Sequence, residues 1–240
     1  MNRTDPPVIG LIVPPAHGEV PSDGAALYGD RVRFVARGLG LGEISTRGYE
    51  GVIDRVVGLA EELAREGARA VSLMGTSLSF FRGAAFNAEL EAEMTRATGL
   101  PCTTMSNAIL RGLRAVNVSR VAVATAYIDD VNDRLVRYLA ASDLAVSAIR
   151  GLAITGVREV AEVPTATLVD LCESVYASDP SADGILISCG GLLTLDAITA
   201  VEAKLGVPVV SSSPAGFRDA MQVAGLDCRS QAGGRLFAVP

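Results

Sequence analysis

Apolar residues along this chain fall into two alternating patterns: short unbroken runs, and longer stretches with a three-to-four-residue spacing. Val8 to Val13, Ala70 to Met74, Val121 to Thr125 and Gly184 to Ser188 are short runs of mainly aliphatic residues with no charged position. Runs of that length with no polar face predict strands covered on both sides, as in a parallel sheet. Between the first two, Val52, Ile53, Val56, Val57, Leu59, Ala60 and Leu63 predict one helix over residues 49–66, stopped by Gly67. Residues 86–97 and 165–177 read as further helices, and Val201 to Leu205 as the last turn of another, closed by Gly206. Gly99-Leu100-Pro101 leads into a short strand at 102–104, with Ser106 placed to cap the helix that follows. Asp129 and Asp130 open a helix, where first-turn carboxylates complement the dipole. Ser213-Pro214 predicts a helix start, with proline at the first helical position.

The order of these elements repeats at nearly one spacing. Ile9 recurs as Val121, Gly75 as Cys189, and Gly99-Leu100-Pro101 as Gly206-Val207-Pro208. The pattern predicts an α/β chain of two pseudo-symmetric lobes, each a mostly parallel sheet flanked by helices. Residues 1–117 plus 214–240 are assigned to the first lobe and residues 118–213 to the second. The site is then expected in the cleft between them, with Gly75-Thr76-Ser77 facing Cys189-Gly190-Gly191.

Composition narrows the chemistry. The 240 residues are 49% hydrophobic with a net charge of −6, and no basic stripe suggests nucleic acid. No apolar run reaches the roughly 18–20 residues that span a bilayer, so no membrane partner is expected. The first seven residues lack a leader's apolar region, which points to the cytoplasm. Four cysteines, at 102, 172, 189 and 228, show no metal-ligand or disulfide spacing. His17 is the single histidine and Lys204 the single lysine. A histidine-rich metal centre is thereby excluded, and a Schiff base or a catalytic triad would have to rest on one of those two residues. Chemistry without metal or organic cofactor is the expectation.

Cys189 is the residue placed to do it. A buried strand runs into the thiol, and two glycines follow at the sheet's carboxyl end, where open α/β sheets put their ligands. The glycines allow a tight turn whose amides can face an anion. The thiol there can be a proton donor, base or nucleophile, or a cysteine that merely packs. Gly38-Leu39-Gly40-Leu41-Gly42 lacks dinucleotide-fingerprint spacing and reads as a mobile loop able to cover a site. His17 reads as a loop residue.

A duplicated α/β chain with reactive turns at equivalent strand ends resembles the aspartate/glutamate racemase superfamily. Its cofactor-free racemases use two opposed cysteines; here the second stands as Cys189, but the first position is Gly75. Residues 71–80, 124–130 and 186–194, with Pro14-Pro15, 38–42 and 154–157, resemble the arylmalonate decarboxylase family within that group. The similarity runs from about residue 8 to residue 218. It implies cofactor-independent decarboxylation of α-aryl or α-alkenyl malonates to one enantiomer of the α-aryl acid. It also implies that Gly75, Thr76, Ser77, Tyr127, Gly190 and Gly191 hold the carboxylate and its enediolate, and that Cys189 delivers the proton. Pro14, Leu41, Ile44, Leu78, Val157 and Val160 would wall the departing carboxylate; relatives carry methionine in place of Val160. From the residues alone, Thr76 and Ser77 are also readable as caps, Tyr127 as a strand end in water, and the wall residues as core. An isomerase or racemase of the maleate or hydantoin type is the alternative, or a non-catalytic dicarboxylate-binding protein. The expected partner is a small malonate-type molecule, and the expected state a monomer or weak homo-oligomer.

Overall fold

The computed structural model describes residues 5–239. The reading of the amino terminus therefore falls partly on residues 1–4, outside the described residues. The first half runs β1 (Val8–Val13), α1 (Asp23–Tyr28), β2 (Arg33–Gly38), α2 (Thr46–Glu50), α3 (Val56–Arg65), β3 (Val71–Leu73), α4 (Thr76–Phe80), α5 (Ala84–Thr98), β4 (Cys102–Thr104) and α6 (Met105–Ala115). The second runs β5 (Arg120–Thr125), α7 (Asp129–Ala140), β6 (Ala145–Gly151), α8 (Thr165–Ser178), β7 (Gly184–Ser188), α9 (Leu195–Leu205), β8 (Val209–Ser211) and α10 (Ser212–Val223). Two four-stranded sheets result, ordered β2-β1-β3-β4 and β6-β5-β7-β8, with every pair parallel. The identical order carries the internal duplication. Among the described residues, no helix is long and apolar enough to cross a membrane.

The central strands owe their place to continuous burial. Every residue of β7 is buried, and so are all of β5 but its first and all of β3. Each fully buried Ile or Leu contributes roughly 2 kcal/mol relative to exposure, so these runs have no favourable position at a sheet edge. The edge strands β2 and β6 are half-buried and mixed in polarity, and no periodicity announces them.

Several local expectations are corrected. The helix over 49–66 is two helices: α2 ends at Glu50, and α3 starts at Val56 after a 3₁₀ turn at Ile53–Arg55. The break lets Tyr49 turn fully inward onto Phe81, with ring centroids 5.4 Å apart. Thr104, not Ser106, caps α6, accepting from the Asn107 amide at 3.3 Å. Ser106 instead lies inside α6 and donates to the Thr76 carbonyl at 3.0 Å. α10 starts at Ser212, so Pro214 sits third in the helix rather than first, still within the turn whose amides lack helical acceptors. Gly38 is the last residue of β2 and not a free loop. The segment after it is fastened, since Leu39 and Leu41 donate their amides to Val13 and Pro14 (2.8 and 2.9 Å). A side chain at Gly38 would collide with the carbonyls of Pro15 and Ala16, which explains the glycine.

The halves interlock through their last helices. α10 packs on α6, α1 and β4, while α6 also touches β7 and β8. Buried Asp219 of α10 accepts from Arg111 of α6 at 2.6 and 2.8 Å and from the Thr103 hydroxyl of β4 at 2.5 Å. This brings the carboxyl ends of the two sheets toward one another.

Candidate active site

β1, β3 and β7 all point their carboxyl ends at one cavity of about 390 Å³. Gly75, Thr76 and Ser77 reach it from the β3–α4 junction, and Cys189, Gly190 and Gly191 from the end of β7. Pro14, Leu41, Ile44, Leu78, Val157 and Val160 line it as well. The loop after β2 meets the loop after β6, where Glu43 and Gly156 form an antiparallel bridge and the Ile44 amide donates to the Thr155 carbonyl at 2.9 Å. That crossing sets Leu41 and Ile44 beside Val157 and Val160.

The sulfur of Cys189 sits in a nearly dry place, with the residue only 6% exposed. Loss of solvation pushes its pKa up to about 11, opposed in part by the nearby Gly191 amide and Tyr127 hydroxyl. The thiol is therefore protonated at neutral pH. Neither Gly190 nor Gly191 has a positive φ. Their reason is close packing, since a Cβ at Gly190 would stand 2.9 Å from Met105 Sδ, and one at Gly191 3.1 Å from Val160.

Tyr127 lies behind the cavity wall, buried, with its ring edge-on to Phe80 (centroids 6.1 Å apart). Its hydroxyl is therefore not in water, and it accepts from Ser188 Oγ at 3.4 Å. Burial raises its pKa well above the ordinary phenol value, so it stays a donor beside Thr76 and Cys189. Thr76 and Ser77 are both buried, and neither caps α4, whose first flanking residue is Gly75. Thr76 Oγ1 donates to Met105 Sδ at 2.8 Å. Sulfur is a weak acceptor, so that proton is cheaply redirected to an oxyanion. Leu78 fills the place opposite Cys189, because a Cβ at Gly75 would meet its Cδ1 at 2.6 Å.

Tyr49 is the residue that sequence reading missed. Its hydroxyl is buried without a hydrogen bond of full geometry, close to Ser77 and to Cys189, and burial raises its pKa. As the first residue of the expected helix it carried no signal. His17 sits on the rim, its side chain 55% exposed and 3.6 Å from Glu19. Lys204 pairs with Glu173 at the end of α9, away from the cavity. Among the described residues no three His, Cys, Asp or Glu side chains cluster closely enough to hold a metal ion. Cys102, Cys172 and Cys228 are buried elsewhere.

The family model described as arylmalonate decarboxylase matches residues 9–237. Arylmalonate decarboxylase of Bordetella bronchiseptica is 60% identical over 238 residues, 99% of either chain. The chain belongs to the arylmalonate decarboxylase family. A doubly substituted arylmalonate decarboxylase in its liganded form superposes with a TM-score of 0.95 at 61% identity, covering 96% of this chain and 98% of that one. The maleate isomerase of Pseudomonas putida superposes at 0.87 over 96% and 98% of the two chains, at 23% identity. That likeness extends the shared fold beyond the decarboxylase family.

Proposed function

We propose that this enzyme decarboxylates α-aryl or α-alkenyl malonates without a cofactor and protonates the product on one face. The observation that carries this reading is a single protonated thiol facing a cradle of neutral donors in one largely apolar cavity. The bond from the α-carbon to one carboxylate breaks, CO₂ leaves, and the electron pair passes into the remaining carboxylate as an enediolate. Hydroxyls of Thr76 and Ser77, with backbone amides near Gly190 and Gly191, hold those two oxygens from the cavity lining, and the Tyr127 hydroxyl supports Thr76 from behind it. Pro14, Leu41, Ile44, Leu78, Val157 and Val160 surround the departing group, where neutral CO₂ is better accommodated than an anion. Cys189 then gives its proton to the α-carbon, and solvent restores the thiol. The cleft goes with assigning residues 1–117 plus 214–240 to one lobe and 118–213 to the other, a division supported by α10 packing on α1 and β4.

Release of CO₂ from phenylmalonate, with chelator present, tests the reaction; binding without release would favour a dicarboxylate-binding protein. The rate should stay level from pH 7 to 9, where an ordinary thiol of pKa about 8.5 ionises. It should fall only as the pH nears 11, because the acid form is lost there. A decline centred near pH 8.5 would show that the proton comes from an unshifted group.

A racemase or isomerase needs a second acid on the opposite face, and Gly75 supplies none. Gly75→Cys is expected to erode the optical purity of an α-aryl propionate on prolonged incubation, once Leu78 rotates aside. Chiral chromatography reads the result, and unchanged purity would count against the opposed geometry.

A further inference from the structure

One part of the cavity carries an acidic side chain that the decarboxylation does not use. Asp23, the first residue of α1, lines the same cavity as Cys189 and is only 4% exposed. Burial raises its pKa, and the neighbouring Ser213 hydroxyl opposes the rise. Ser213, from the first turn of α10, also lines the cavity and is buried, yet its Oγ completes no hydrogen bond of full geometry. A carboxylate has about four acceptor positions, and buried ones are ordinarily filled. One leaning hydroxyl leaves Asp23 with acceptor capacity beside the cavity.

The malonate carboxylates belong at the neutral donors and the aliphatic wall, and an acidic side chain offers neither of them a cation. What remains for Asp23 is the α-substituent. Resting on the decarboxylase reading above, we infer that Asp23, steadied by Ser213, is a specificity-determining subsite for an α-substituent that carries an O–H or N–H donor, a phenol being the simplest. The preferred substrates are then hydroxyaryl malonates rather than unsubstituted ones.

The test compares 3- and 4-hydroxyphenylmalonate with their methyl ethers, in which electron donation to the ring is similar but the donor is gone. KM for at least one phenol should lie about five- to tenfold below that of its ether, the worth of one hydrogen bond to a buried carboxyl. In Asp23→Ala that ratio should fall to about one, and in Ser213→Ala it should shrink. The ratio is internal to each protein, so a general loss of activity cancels. Should Asp23→Ala not fold, Ser213→Ala carries the same reading. Equal KM values for phenols and ethers in the native enzyme, or a preference that survives both substitutions, would overturn the inference. Failure to release CO₂ from any of these malonates would instead overturn the decarboxylase reading.

Discussion

Cys189→Ser is expected to release CO₂ from phenylmalonate and accumulate product about 10²- to 10⁴-fold more slowly than the native enzyme, the usual worth of a positioned general acid. The substitution barely changes volume, so the cavity and its donors persist. What changes is acidity, since a hydroxyl yields its proton to a carbanion far less readily than a thiol. Burial already holds the Cys189 proton until about pH 11, and replacing sulfur by oxygen goes much further in the same direction. Cys102, Cys172 and Cys228 lie outside the cavity, and alanine at each should leave turnover near native. Full activity in Cys189→Ser, measured by product formation in single-turnover mixtures, would remove the thiol from the mechanism.

The next largest effect is expected of Thr76→Val. Valine keeps the shape and the burial, so the melting temperature should change little. It removes the hydroxyl now resting on Met105 Sδ. Turnover should fall by about 10²- to 10³-fold, as for loss of one oxyanion donor, with KM changing less. That split separates stabilisation of the developing enediolate from binding of the ground-state carboxylate. A variant with raised KM and native kcat would show that Thr76 merely binds.

Much of the fold, and many of the residues that line the cavity, are legible in the sequence for identifiable reasons. β1, β5 and β7 are aliphatic runs whose burial leaves them one destination, and their shared spacing exposes the duplication. Cys189 stands out because glycines follow it where a strand must end. The failures are as instructive. β2 reads Arg-Phe-Val-Ala-Arg-Gly and lies half-buried at an edge, so no face dominates its pattern. The broken helix near Gly51 obeyed helical periodicity throughout. Its interruption answers to Tyr49 reaching Phe81, a contact that local propensity does not encode.

By itself the sequence determined the central strands, the two-fold repetition and the scarcity of lysine and histidine. Those are properties of neighbours a few residues apart, and short-range sterics and burial settle them. Only the tertiary structure decided that Thr76 and Ser77 share one cavity with Cys189, that Tyr127 and Tyr49 are dry, and that Asp23 lines the same cavity. Each of those depends on packing between segments far apart in the chain, where the exclusion of water, absent from any linear pattern, sets both the acidity of the groups and their direction.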